Sequence, residues 1–375
     1  MALSAQRALR SINPTSEIVT RANISRQDRA YYGFRKLAYS TVRGGRSLEA
    51  LRRNANQLLA SDLFDRMLFS KSRMISFKRV NALLDISGYS YSDHVGVKRV
   101  IRDRDLFSNA KANNKKVILM PKTYGPFEKF EATQIRDLLS EISEIADLML
   151  VRDRRSFVHL GEIGVDPSRM HLFPDYTGAY PGQTDESYAH LENRACVIPN
   201  LAMAENVAGE TFESYVRYLR WVIQLLAKAG ARPFVLIHNT SGDPRVGRQV
   251  ASDSVPLVQE ENPRKIKYII GRSRITVSAR LHGIINSLSQ GVPAIAVGWA
   301  HKYEELMSDY GVPEYNVEGP RMAEQTQAAI YRLLGSDDEH ARVSRIATEM
   351  QRSISTRNEE MWKLIAEKIF ADPAR

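Results

Sequence analysis

Apolar residues along this chain fall into two alternating rhythms. Short continuous runs rich in valine, isoleucine and leucine are separated by longer amphipathic stretches with helical spacing. In the first half ALLDIS (82–87), KKVILMP (115–121), LMLV (148–151) and MHLF (170–173) predict strands, with a shorter candidate at 17–20. Helices are expected over 2–12, about 93–112 and 132–146. The first carries Ala2, Ala5, Leu9 and Ile12 on one stripe and stops at Asn13-Pro14. Residues 26–80 read as helical, basic and less regular, broken at Gly44-Gly45. A second series follows, with strands at ACVI (195–198), FVLI (234–237), a weaker 255–258, ITVS (275–278) and AIAVGW (294–299). Helices alternate with them at 211–229 and 263–272 and fill most of 321–370; the last, 342–370, has no strand partner.

Alternation of this kind indicates parallel sheets with helices on both faces. The expected fold class is α/β, with two doubly wound Rossmann-like domains in a GT-B-like arrangement and a C-terminal helix packing back. An N-terminal Rossmann-like domain is expected over 1–185, with the basic segment 26–80 in it. A C-terminal one follows over 195–335, then a helical extension over 336–375. Residues 179–194, with Pro181, Gly182 and scattered charge, are the linker candidate. The ligand cleft is expected between the domains.

Polar chemistry gathers where the strands end. In ITVSARLHGIINSLSQGVPAIAVGWAHKYEELMSD (275–309), Arg280 and His282 stand where a strand passes into a helix, and His301 and Lys302 stand at the next such junction. Ligands bind at that edge of an open parallel sheet, and helix N-termini there favour anions. Arg152 and Asp153 follow the strand at 148–151, Asp175 follows 170–173, Asn200 follows 195–198, and His238 with Asn239 follows 234–237. Tyr124 lies in the loop expected after 115–121.

Composition narrows the classes. The chain is 375 residues long, 43% hydrophobic, and carries a net charge of +10. Between residues 21 and 79 there are fourteen Lys/Arg against four Asp/Glu, so this block alone accounts for the whole surplus. Tyrosine and phenylalanine interleave with it, which leaves open a solvated face or an anionic partner. The single cysteine excludes an intramolecular disulfide and a multi-cysteine zinc site, and fits a reducing cytosol. No apolar run reaches the roughly 18–20 residues of a membrane span, and the N-terminus has no secretory h-region, although its amphipathic, serine-bearing helix leaves a transit peptide open. The expected location is cytoplasmic, with peripheral contact at the inner membrane face left open. GxGxxG, GxxxxGKS, HExxH and GxSxG are all missing, which counts against dinucleotide, P-loop, zinc-protease and serine-hydrolase chemistry. No metal site is expected.

The ordered set VILMPKTYGPF, LMLVRDRRSFVHL, LFPD, LIHNTSGD and VSARLHGIINSLSQGVPAIAVGWAHKYEELM resembles the polysaccharide pyruvyl transferases over roughly 80–370. That resemblance implies transfer of a pyruvyl group from phosphoenolpyruvate to two hydroxyls of a sugar, leaving a cyclic ketal and phosphate. Phosphoenolpyruvate is a co-substrate, and no cofactor is implied. The partners expected are this donor and a sugar acceptor of a cell-surface glycan or exopolysaccharide, with lipid linkage left open and no nucleic acid. The N-terminus departs from the pattern: family members usually begin with a strand and an Asn-x-Gly-Asp-type loop, and this sequence begins at the helix.

Such a reaction needs an acid to protonate the donor's methylene carbon and cations to hold its carboxylate and phosphate. His282 is the expected acid, since neighbours set imidazole protonation near neutrality. Arg280 is the expected catalytic cation, gripping an oxyanion bidentately. Lys302, Arg152, His238, Asn239 and Asn200 are expected on the donor. Asp175, Asp153 and Tyr124 are expected on the acceptor side or in orienting roles; His301 reads as a bystander. Two other readings remain: a GT-B nucleotide-sugar glycosyltransferase with Glu304 or Glu305 at the ribose, and a non-catalytic basic protein binding nucleic acid or anionic lipid.

Overall fold

The structure, a computed structural model, describes residues 1–20, 31–38, 74–93, 96–128, 132–207, 209–298 and 300–370. The chain divides into two compact units. The first comprises Met1–Val151, Ser156–His171 and Glu360–Arg375; the second comprises Arg152–Arg155 and Leu172–Glu359.

The first unit contains β1 (Val19–Thr20), β2 (Arg35–Ala38), β3 (Met74–Ser76), β4 (Ala82–Asp85), β5 (Tyr89–Tyr91), β6 (Lys116–Tyr124), β7 (Leu148–Val151) and β8 (Met170–Leu172). They form two sheets, β1-β2-β3 and β4-β6-β7-β8, with β5 pairing the end of β6. All registered pairs are parallel. Eight of the nine residues of β6 are buried, as a strand covered on both faces requires. Helices Val97–Ala112 and Ala132–Ile145 pack against one another beside this sheet.

Two expectations are corrected here. Residues 35–38 and 74–76 are strands, although the basic block read as helical; the rest of that block lies almost wholly outside the described residues. Sheet pairing overrode a composition that was polar but not helix-specific. The strand expected to stop at Pro121 runs on to Tyr124, because Lys122 meets an acid inside the fold. Its Nζ donates to the Asp85 carboxylate and to Ser87 Oγ, 3.0 Å away.

The second unit carries β9 (Ala195–Ile198), β10 (Pro233–Ile237), β11 (Leu257–Gln259), β12 (Ile275–Ser278), β13 (Ala294–Val297) and β14 (Asn316–Val317). They lie in the order β11-β10-β9-β12-β13-β14, every neighbour parallel. Counted within the unit this is 3-2-1-4-5-6, the doubly wound order whose switch point falls between the first and fourth strands. Both faces of β9 are buried: Ala195 and Val197 join one apolar cluster, Cys196 and Ile198 the other. Helix Phe212–Lys228 covers the first face, opened by a capping box between Thr211 and Ser214. Residues 179–194 belong to this unit, and Leu191 within them is wholly buried in its core. The terminal helix is one piece, Asp337–Phe370, starting five residues before the position expected from periodicity. Among the described residues no helix is long and apolar enough to cross a membrane.

Candidate active site

The switch point puts the carboxyl ends of β9 and β12 side by side, and the chain leaving β12 turns there into helix Leu281–Leu288. Gly283 allows that turn. A Cβ at this position would lie 2.5 Å from Ser278 Oγ and 2.9 Å from Ile198 Cδ1, so only glycine lets the helix start this close to the sheet. Ser278 Oγ accepts the Arg280 N–H at 3.0 Å. The Ala279 carbonyl accepts both Asn200 Nδ2, at 2.9 Å, and the Tyr303 hydroxyl, at 2.8 Å. The segment carrying Arg280 and His282 is therefore pinned from β9 and from helix His301–Asp309.

Arg280 meets Asp243 edge-on. Its Nε donates to Oδ2 at 2.8 Å and its Nη2 to Oδ1 at 2.6 Å, while Asp243 is wholly buried and also accepts the Leu201 N–H. This pair ties the end of β12 to the first residue of helix Asp243–Val250. One edge of the guanidinium is thus occupied within the protein, and Nη1 is the remaining terminal nitrogen for a ligand.

His282 occupies the first turn of its helix. Its Nε2 is buried, has no hydrogen-bond partner, and stands 3.9 Å from Asp175 Oδ2. Asp175 is buried in turn. Its Oδ1 accepts the N–H and hydroxyl of Thr177, and its Oδ2 accepts Arg152 Nη1 at 3.2 Å. Arg152 and Asp175 thus fall in the same compact unit as His282, although Arg152 follows directly on β7.

Burial drives the His282 pKa down. Asp175 opposes that shift and the Arg152 and Lys302 charges add to it, leaving the imidazole at about 4. His238, at the end of β10, is held at about 3 by burial and by the charges of His282 and Arg280. Lys302 is lowered to about 8 by burial, with Arg152 and Arg280 as further causes. Three groups from three strand ends are therefore each pushed toward their neutral forms. Burial is the largest cause for each of them, and neighbouring positive charge adds to it.

The remaining expected residues separate. Asp153 is buried with its carboxylate 3.8 Å from His301 Nε2. Asn239 is half-buried and accepts the Ser241 N–H, shaping the turn after β10. Asn200 is buried, and its amide bridges the Ala279 carbonyl and the Ala202 N–H. Tyr124 ends β6 in the first unit, wholly buried and stacked on Tyr91 with centroids 5.9 Å apart. Glu304 pairs with Arg155 at 3.1 Å, and Glu305 accepts the Arg154 N–H. Asp243 was missed. Its position one residue past Gly242, opening a helix, gave a local signal for capping and none for an arginine partner.

The polysaccharide pyruvyl transferase family profile matches residues 1–301, which contain every one of these side chains except Lys302, Tyr303, Glu304 and Glu305. The chain belongs to the polysaccharide pyruvyl transferase family. It is similar to the amylovoran biosynthesis protein AmsJ of Erwinia amylovora, 24% identical over an alignment 225 residues long that covers 53% of this chain and 53% of that one. The match thus spans about half the length of that curated relative. Among solved structures, Anabaena Alr3699/HepE in complex with UDP and glucose aligns with a TM-score of 0.58 at 9% identity, covering 97% of this chain and 95% of that one. UDP-GlcNAc 2-epimerase from Neisseria meningitidis, bound to UDP-GlcNAc, aligns with a TM-score of 0.57 at 12% identity, covering 99% and 96%. At such identities the likeness extends to the GT-B-like α/β fold alone.

Proposed function

We propose that this family member moves the pyruvyl group of phosphoenolpyruvate onto two hydroxyls of a polysaccharide sugar, releasing phosphate and forming a cyclic ketal. The observation that carries this reading is His282: a buried imidazole nitrogen with no hydrogen-bond partner, two residues past Arg280 at the switch point and in the field of Arg152 and Lys302.

In the free protein His282 is neutral at pH 7, which is wrong for an acid. Phosphoenolpyruvate corrects this. Its carboxylate and phosphate place negative charge beside the ring, which favours the imidazolium against the depression that burial causes, so proton uptake accompanies donor binding. Protonated His282 then gives its proton to the methylene carbon, and C2 takes on oxocarbenium character. A sugar hydroxyl adds to C2 and loses its proton. The C2–O bond to phosphate breaks, with the electron pair leaving on phosphate. The second hydroxyl closes the ketal and loses its proton, and His282 is reprotonated from solvent. Asp175, held by Thr177 and Arg152, orients the imidazole and stabilises its charged form. Arg280, braced by Asp243, and Lys302 balance the charge on the departing phosphate.

The nucleotide-sugar alternative is less well supported, since Glu304 and Glu305 both have partners in residues 154–155. Phosphorus NMR on the protein with phosphoenolpyruvate and extracted polysaccharide or its precursors tests the reading. Acceptor-dependent conversion of phosphoenolpyruvate to inorganic phosphate is expected. Release of nucleoside diphosphate from a nucleotide sugar, with phosphoenolpyruvate untouched, would replace this reading with a glycosyltransferase.

A further inference from the structure

Lys267 is a buried charge in the second unit that the reaction above leaves unused. It lies on helix Pro263–Gly271, whose Ile266, Ile269 and Ile270 pack into the apolar cluster of Cys196 and Ile198. Lysine is rarely buried unless it is paired with an acid. Lys267 is 5% exposed, yet its Nζ donates to a neutral group, the Gly178 carbonyl, at 2.5 Å. Burial lowers its pKa to about 8, and the Asp175 charge opposes that shift. A methionine would fill the same space without an ammonium to desolvate.

Two connections meet at this residue. Through Nζ it holds the turn at 175–178, which carries the Asp175 carboxylate 3.9 Å from His282 Nε2. Through its own backbone carbonyl it accepts Gln290 Nε2 at 2.8 Å. Gln290 lies two residues past the end of helix Leu281–Leu288, the helix that carries His282, and the two helices pack against one another. Thr177 holds Asp175 from within the turn, and Asn358 Nδ2 of the terminal helix donates to the Asp175 carbonyl at 3.2 Å. Lys267 adds the link from that turn to the helix of the imidazole.

We propose that Lys267 is a positioning residue: through the Gly178 carbonyl on one side and Gln290 on the other, it sets the alignment of the Asp175 carboxylate with the His282 imidazole. Asp175 is the group that opposes the depression of the His282 pKa, so a released turn weakens that support. The inference rests on the proposed reaction for what the aligned pair does, and on the geometry alone for the alignment itself.

The test removes the ammonium with Lys267→Met and follows the His282 ring by NMR in histidine-labelled protein. The midpoint near 4 should fall by about half a pH unit or more. Loss of a positive charge acting directly on the ring has the opposite sign, so a rise overturns the proposal, as does an unmoved midpoint. In turnover of phosphoenolpyruvate, Lys267→Met should lower kcat about tenfold or more, with KM for phosphoenolpyruvate changed only a few-fold. Added to Asp175→Asn it should cost nothing further; a full further loss in that background overturns the proposal, because the lysine then acts independently of Asp175. If the wild type releases no phosphate from phosphoenolpyruvate, the reading of the reaction fails and the NMR midpoints still decide the alignment. A second measurement needs no variant. In the wild type the Gly178 carbonyl carbon should titrate with Lys267 near pH 8, as a charge-assisted hydrogen bond becomes a neutral one. A resonance fixed from about pH 7 to about pH 9 denies the contact and overturns the proposal.

Discussion

At the scale of residues, the site turns on the difference between His282 empty and His282 beside an anion. With its ring held at about 4, the C–H resonances of His282 should titrate near that pH in the free protein. They should move upward by more than one pH unit when phosphoenolpyruvate is added. NMR of histidine-labelled protein checks this, and an unmoved midpoint would deny the donor a place beside the ring. The same depression has a stability consequence. His282 and His238 bind protons less readily when folded than the ordinary imidazole near 6.5, so the unfolded state takes up protons first as the pH falls. Their contribution is complete above about 6.5 and is lost as the pH falls from there toward about 4 for His282 and about 3 for His238. Denaturant midpoints should decline across that window, and His282→Gln should flatten part of the decline. The strand-end positions of His282, Arg280 and Lys302 were legible in the sequence because strand-to-helix junctions announce themselves through local pattern. Asp243 was not, because its pairing with Arg280 spans 37 positions and depends on β10 and β12 flanking β9.

At the scale of elements, strand positions were readable wherever both faces are buried, since a continuous apolar run has few other uses. Reading failed where a polar side chain is satisfied internally. Lys122 suggested a loop, yet it is wholly buried against Asp85 and Ser87, and burial holds its pKa below the ordinary lysine value. The close approach of helix Leu281–Leu288 to β12 makes its own prediction. Gly283→Ala would force a methyl group against Ser278 and Ile198, at a cost of about 1–3 kcal/mol. Chemical denaturation should register that loss. Because the displaced helix carries His282, turnover should fall further than stability alone accounts for. Wild-type stability in this variant would mean that the turn is looser than described.

At the scale of the whole molecule, alternating strands and helices indicated the α/β class, and the second unit is doubly wound as expected, with a strand order that the structure supplies. The two sheets of the first unit were not foreseen, since nothing in local periodicity reports which edges remain open. What joins chemistry to family membership is a single imidazole in a cationic setting. Its most direct test compares wild type with His282→Ala for acceptor-dependent phosphate release from phosphoenolpyruvate, with donor affinity measured on the same samples. Loss of a general acid predicts a fall of about 100-fold or more, with donor affinity changed only a few-fold because Arg152, Arg280 and Lys302 remain. Near-normal phosphate release by His282→Ala would contradict the account.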